Sequence, residues 1–302
     1  LHAGLPMDTD EDNSSIASLD YSSKSNAVFY KGVTAKVYYS YVDHIMSNYS
    51  RPSFVNSAAI AKVNATTFGG KVETEWDLSP KWKLFSGVDM VHLSRDGGRD
   101  RLVKKNMAGV VLPKPVAFYD KIWQDSYTAT FGTFAEAEWY LSEKSIVNLG
   151  ARVDVVATDA RDLDESFVKL YPNIEKRNET NYSGTISYKQ LLSPDYTLEV
   201  AFGRGTRSAN IEERFIAYFN IGRDPYEYIG NPNLKAETNN QFEIGFTGKE
   251  KLNGFATQIN FGGSVNHGII KLSNHKEFYP DGPFTNKAWK KKKKNGKVWI
   301  AP

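Results

Sequence analysis

Cysteine is absent from the 302 residues of this chain. Its absence excludes a disulfide framework, a thiolate metal site and a cysteine nucleophile within these residues. Long apolar runs are absent too, because no segment approaches the roughly 18 apolar residues that a transmembrane helix needs. Residues 1–20 lack the basic and then apolar profile of a signal peptide, so the chain begins like an internal segment of a longer protein.

An excess of charge of one sign is also missing. The 38 basic and 35 acidic residues give a net charge of +3, and the lysine run 290–294 supplies five of the basic residues. Without that run the charges nearly balance, so the composition does not support nucleic-acid binding. No nucleophile elbow, phosphate-binding loop or zinc-protease helix is found, and we therefore expect no enzyme.

What the chain does contain is aromatic residues and long stretches of alternating polarity. It has 17 Tyr, 17 Phe and 6 Trp, although its mean hydropathy is −0.48. The wall of a membrane β-barrel needs apolar residues only at alternate positions, so a barrel can cross a membrane and still score as polar. In residues 127–141 the apolar set is Tyr127, Ala129, Phe131, Ala135, Ala137, Trp139 and Leu141, interleaved with Thr128, Thr130, Glu136 and Glu138.

The same alternation predicts about ten strands, many of them longer than the usual 5–6 residues. They are predicted near 14–23, 32–44, 63–78, 81–93, 127–141, 147–155, 181–191, 196–206, 241–247 and 255–272. Short turns at 77–81, 141–144, 192–195 and 249–254 alternate with long polar stretches at 45–62, 94–124, 159–180 and 207–236.

In outer-membrane barrels the short turns face the periplasm and the long loops face outside. The sequence therefore predicts an all-β, antiparallel, up-and-down transmembrane β-barrel. The alternative is a soluble β-sandwich or propeller, which we disfavour because soluble folds have no reason to sort their loops by length in this way.

Three segments near the carboxyl end resemble the late barrel region of TonB-dependent receptors. Residues 204–215 read RGTRSANIEERF, residues 230–238 read GNPNLKAET and residues 242–246 read FEIGF. The family usually has proline where Ala209 and Ala236 stand. Gly230-Asn231-Pro232 is a turn former, and we interpret the motif as one that shapes an external loop and touches no ligand.

A narrower resemblance points to the copper receptors among the TonB-dependent proteins. Residues 5–8 read LPMD ahead of an acidic stretch, and residues 41–49 read YVDHIMSNY. In that subfamily a His-x-Met pair on the barrel supplies part of a copper site, and the resemblance carries this role over to His44 and Met46. Imidazole and thioether ligands suit copper, especially Cu(I). The alternative is that both side chains only pack in a loop.

Strand parity gives an independent reason to consider this pair. Apolar side chains at Val33, Val37 and Tyr41 leave the intervening positions, and by continuation His44 and Met46, on the face toward the lumen. The resemblance implies further ligands, a Cys and a Met, from the plug domain that fills the barrel. This chain has no segment that resembles a plug, so the plug is expected upstream of Leu1.

The sequence thus predicts residues 1–285 to be part of a TonB-dependent receptor barrel of about 22 strands, in the bacterial outer membrane. The lysine-rich tail 286–302 breaks the pattern, and we prefer an altered or truncated reading frame over an anchor for acidic lipid head groups. The expected function is copper uptake, with copper as transported ligand, no required cofactor, and outer-membrane lipid and TonB as partners. A receptor for a siderophore or another nutrient, and a barrel enzyme, stay open as alternatives.

Overall fold

The computed structural model describes residues 7–106, 108–217, 229–252 and 255–269, with side chains up to residue 248. Ten strands in these residues form one antiparallel sheet whose spatial order is the order of the chain. The predicted up-and-down topology and number of strands are confirmed. The strands are β1 (Asp8–Lys24), β2 (Tyr30–Ser47), β3 (Ser57–Ser79), β4 (Trp82–Lys105), β5 (Val111–Ser142), β6 (Ser145–Ala160), β7 (Arg177–Ser193), β8 (Tyr196–Arg207), β9 (Glu237–Leu252) and β10 (Phe255–Ile269).

The two faces of this sheet differ as the alternation predicts. One face, called the outward face below, carries large apolar side chains that are exposed in this chain. The strand register places them opposite one another, for example Tyr39 opposite Phe68, and Ile186 opposite Phe202. Exposed apolar side chains in a continuous band are what a lipid-facing barrel wall requires. The helices among the described residues are all too short or too polar to cross a membrane.

Rows of aromatic rings bound this band at two levels. Near the short turns Trp82 stacks on Trp139 with ring centroids 5.0 Å apart, and Tyr196 stacks on Phe246 at 5.6 Å. Toward the other end of the strands, called the external end below, His92 stacks on Phe68 at 4.9 Å. Trp82 and His92 are ten residues apart on β4, which at a tilt of about 40° is roughly 25 Å of height. That height matches the apolar band of an outer-membrane barrel.

The inward face is polar and charged. Arg152 on β6 forms ion pairs with Asp89 at 2.6 Å and with Asp154 at 2.6 Å, and Lys71 pairs with Glu73 at 2.6 Å. Lys71, Glu73, Asp89 and Arg152 line a concave volume of about 830 Å³. A hydrated lumen explains why charge is tolerated on this side of the sheet.

The prediction of a long loop over 94–124 is wrong. β4 and β5 continue as a paired ribbon beyond the apolar band, and only residues 106–110 connect them. Asp120 on β5 links the two strands of the ribbon, because it accepts hydrogen bonds from Arg99 at 3.0 Å and from Arg101 at 2.6 Å on β4. The ribbon projects beyond the apolar band, where paired strands need no apolar face. It is therefore polar, and the alternation of polarity does not identify its residues as strands.

The other long connections each contain a helix. The first two are shorter than predicted, and the third, between β8 and β9, agrees with the predicted range 207–236 to within one residue. Residues 48–56 include a single 3-10 turn, residues 161–176 include helix α1 (Glu165–Leu170), and the connection after β8 includes helix α2 (Ile211–Phe215). The buried core of the described residues lies here, at the external end. Its main cluster contains Ala160, Phe167, Phe215 and Ala217, with Leu163, Tyr171, Ile174 and Ile229 packed against it. The predicted tail 286–302 lies outside the described residues.

Candidate functional site

His44 and Met46 both lie in β2, near its external end. The structure extends this strand to Ser47, so Met46 belongs to the strand and not to the loop predicted from residue 45. His44 lies opposite Val63 on β3, in the row that faces inward, and Met46 lies opposite Ala61 in the same orientation. The two side chains therefore point to the lumen from positions two residues apart, as the parity argument predicts.

A carboxylate lies beside the imidazole. Asp12 on β1 is directly opposite His44, and its Oδ2 atom is 3.7 Å from His44 Nδ1. The histidine side chain is 30% exposed, so its ring is partly sheltered. The separation is longer than a hydrogen bond, but the carboxylate lies on the side where it would accept the Nδ1 proton of an imidazole that binds a metal through Nε2.

The chain beyond Met46 is held in a fixed path. Ser47 and Asn48 are almost fully buried, at 1% and 5% exposed. The Asn48 amide nitrogen donates to the Ser57 carbonyl at 2.7 Å, and its oxygen accepts from the backbone N–H of Ala59 at 2.8 Å. These bonds close the connection between β2 and β3, so the backbone that carries Met46 is anchored from both sides.

External elements approach the same inward row. Val63 packs against the buried side chains of Ile122, Trp123 and Ile216, the last of which follows α2. The Arg95 guanidinium lies over the Trp123 ring, 4.9 Å from its centroid. His44 and Met46 therefore lie next to a surface formed by β3, β4, β5 and the segment that follows α2.

The residues that hold α2 in place carry no pattern that predicts this role from sequence. Arg214 is fully buried and donates to the Ala209 carbonyl at 3.1 Å, the Pro232 carbonyl at 3.1 Å and Glu179 at 2.7 Å. Gln124 on β5, also fully buried, donates to the carbonyl of Phe215. These two side chains connect α2 to β7, to β5 and to the next part of its own loop.

The start of α2 carries a signal that was readable from sequence. Asn210 caps the helix by accepting from the Glu213 backbone N–H at 2.8 Å, and Glu213 in return accepts from the Asn210 N–H at 2.8 Å. This reciprocal pair is a capping box, for which asparagine followed three residues later by glutamate is a recognisable pattern. Arg207 forms two further hydrogen bonds to Glu213, each 2.9 Å long.

The charges around α2 influence one another. Burial alone would raise the pKa of Glu213, but the hydrogen bonds from Arg207 and from the Asn210 backbone outweigh it and hold the pKa below its usual value. Burial lowers the pKa of Arg214, and the nearby Glu179 carboxylate only partly offsets that effect. Both groups stay charged at neutral pH, so α2 is held by ionic contacts as well as by apolar packing.

Other candidate ligands do not join His44 and Met46. His92 lies on the outward face, stacked between Phe68 and Tyr127, so it is unavailable to the lumen. His2 and His275 lie outside the described residues. Within the part of the chain that the structure describes, no three His, Asp or Glu side chains form a group that could hold a metal ion.

The comparisons with known proteins agree on the fold. The chain matches a structure named as the copper transporter OprC, with a TM-score of 0.66 and 21% identity over 87% of this chain and 39% of that one. It also matches the hemophore receptor HasR of Serratia marcescens, with a TM-score of 0.55 and 12% identity over 84% of this chain and 40% of that one. A third match is the siderophore receptor PiuA of Acinetobacter baumannii, with a TM-score of 0.55 and 11% identity over 84% of this chain and 40% of that one. The chain thus spans about two fifths of each of these receptors.

A search of curated protein sequences finds no match. The family model described as "TonB dependent receptor-like, beta-barrel" matches residues 3–265, which is most of the chain. This family consists of ligand-binding transport receptors of the bacterial outer membrane that interact with TonB. The match agrees with the ten-stranded meander, its apolar outward face and its polar inward face. The chain belongs to the TonB-dependent receptor β-barrel family.

Proposed function

We propose that this barrel takes part in copper uptake, with His44 and Met46 as ligands for Cu(I) on the barrel wall. The observation that carries the proposal is the placement of an imidazole and a thioether on one inward face at the external end, where an incoming ion arrives first. Both are soft enough ligands to prefer copper over hard cations. A structural neighbour named as a copper transporter makes copper the first cargo to test.

The acidic residues of β1 support binding of a cation at this place. Asp12 lies beside His44, and Asp10 and Glu11 lie next to it in the chain. Their negative charge raises the local concentration of cations and favours a metal-bound imidazole. Two protein ligands leave Cu(I) under-coordinated, so the proposal requires further ligands from another part of the receptor or from the carrier of the ion. Release toward the periplasm would then use TonB, as for the family.

Binding of Cu(I) to the receptor, purified from outer membranes in detergent, tests the proposal. We expect the double variant His44→Ala, Met46→Ala to bind Cu(I) at least about tenfold more weakly than the wild type, because both barrel ligands are lost. The matched control is Met90→Ala, His92→Ala, which removes the same residue types at the same spacing from the outward face of β4. The control should bind as the wild type does.

Equal binding by the wild type and the His44, Met46 double variant would refute the copper site. Uptake of another nutrient would then be the better interpretation. The neighbours named as hemophore and siderophore receptors share the same barrel fold and provide the cargoes to test next.

A single substitution tests the role of the carboxylate beside the imidazole. We expect Asp12→Asn to weaken Cu(I) binding by about tenfold, because an acceptor that orients a metal-bound imidazole also raises its basicity. Asp20→Asn is the control, since Asp20 is on the same strand and face but pairs with Lys36 at 3.2 Å, away from His44. Titration of each purified receptor with Cu(I) against a competing chelator measures the difference. An unchanged affinity in Asp12→Asn would show that Asp12 does not position the ring.

A further inference from the structure

Arg204 on β8 differs from the other arginines whose side chains the structure describes. Each of the others lies within 4.0 Å of an aspartate or glutamate. Arg161, for example, pairs with Asp125 at 3.4 Å. Arg204 is exposed and has no such partner among the described residues. Its charge is therefore left for something outside the described chain to neutralise.

The strand register places this arginine on the outward face. Arg204 lies two residues after Phe202, which is 48% exposed and opposite Ile186 in the lipid-facing band. Its own cross-strand neighbours are Gly184 on β7 and Asn240 on β9. Side chains two residues apart in a strand share a face, so the guanidinium projects toward the membrane and not into the lumen.

The height of Arg204 puts it at the outer margin of the apolar band. It follows Tyr196 of the lower aromatic row by eight residues, which at a tilt of about 40° is roughly 20 Å of height. A long arginine side chain extends several ångströms further and reaches the head-group level. An arginine that faced hydrocarbon there would be costly, so the favourable arrangement has its head among the polar groups of the outer leaflet.

The surroundings suit a lipid better than a soluble anion. The next outward positions in the same row are Gly184 and then Ala151, so no large side chain covers the surface beside the guanidinium. Phe202, 48% exposed, offers apolar area for an acyl chain on the membrane side of the charge, and Tyr182, 63% exposed, lies about one residue pair further toward the external end, level with Thr206. A guanidinium binds phosphate oxygens with two parallel hydrogen bonds, a geometry that lysine does not match.

We propose that Arg204, with Tyr182 and Phe202, forms an outward-facing site that holds the phosphate group of an outer-leaflet lipid. The Phe202 ring packs on an acyl chain, the guanidinium binds the phosphate at the interface, and the Tyr182 ring lies beside the head group. The site lies on the face opposite to His44 and Met46 and acts independently of the cargo.

Native mass spectrometry of the purified receptor, titrated with short-chain phosphatidylglycerol, tests this proposal. We expect Arg204→Gln to reduce the lipid-bound fraction at least threefold, and Arg204→Lys to restore it only in part. Arg161→Gln is the control, because it removes an exposed arginine that already has a carboxylate partner. Inorganic phosphate, tested in parallel, should not displace the lipid, since it lacks the acyl chains.

Three results would overturn the proposal. The first is equal lipid binding by the wild type and Arg204→Gln. The second is displacement of the lipid by inorganic phosphate, which would show a general anion site. The third is a dimer that Arg204→Gln abolishes, which would show that a carboxylate of a second copy is the partner.

Discussion

Replacing Arg214 with alanine is expected to release α2 and the loop around it from the barrel wall. The substitution leaves the Ala209 and Pro232 carbonyls without their donor and leaves Glu179, which is only 15% exposed, without its closest cation. Breaking a buried ion pair by removing one partner costs about 3 kcal/mol or more. The equilibrium for local opening of residues 208–217 should therefore rise by about 100-fold.

Hydrogen exchange measured by mass spectrometry on the intact receptor in detergent checks this prediction. Backbone amides in 208–217 should lose protection in Arg214→Ala, and residues 161–176 should follow because Phe167 and Phe215 share one cluster. The halves of β6 and β7 nearer the short turns should keep their protection from exchange, since it depends on strand pairing and not on the loop.

Arg177→Ala is the matched control for this experiment. Arg177 contacts the same carboxylate at 4.0 Å, but its side chain is 33% exposed, and exposed pairs contribute at most about 1 kcal/mol. Glu179→Gln should act in the same direction as Arg214→Ala, because it leaves the buried guanidinium without its carboxylate. Unchanged protection in both Arg214→Ala and Glu179→Gln would show that apolar packing alone holds the loop.

The parts of this fold that the membrane determines were predictable from sequence. Lipid on one face and water on the other impose a period of two, so the ten strands and the inward orientation of His44 and Met46 follow from alternation. Beyond the membrane that constraint ends. The paired ribbon of β4 and β5 is held by Arg99, Arg101 and Asp120. Its high content of polar residues is also typical of a loop, so composition does not distinguish the two.

The anchoring of α2 was not predictable for a different reason. Arg214 lies in a polar segment, and its carboxylate partner Glu179 is 35 residues earlier in the chain. No local pattern distinguishes an arginine that will be fully buried from one that stays in solvent. Only the capping box of Asn210 and Glu213 joins residues that are close in the sequence. It predicts where the helix begins but not which part of the barrel it packs against.

Replacing Gly97 with alanine is expected to disturb the external end of the β3–β4 pair. Gly97 has a φ of +149°, and a Cβ atom there would lie 2.3 Å from the Lys62 carbonyl oxygen and 2.7 Å from Val63 Cα. Both contacts are to backbone, so no side-chain rotation can relieve them. A side chain forced into this backbone region costs about 1–3 kcal/mol before the clash is counted.

The glycine sits at a bulge, where the register of β4 against β5 shifts on both sides of it. Bulges of this kind bend a strand and re-aim the side chains near it. Val63 lies between Gly97 and His44 in one row across three strands. A displacement of β3 therefore moves Val63, the cross-strand neighbour of the imidazole.

We therefore expect Gly97→Ala to lower protection from hydrogen exchange in residues 57–66 and to weaken Cu(I) binding, although it removes no ligand. Gly205→Ala is the control, because a Cβ atom at Gly205 meets nothing within 4 Å. If Gly97→Ala loses protection but binds Cu(I) as the wild type does, the bulge serves the ribbon alone and His44 is positioned from the β1 side, through Asp12.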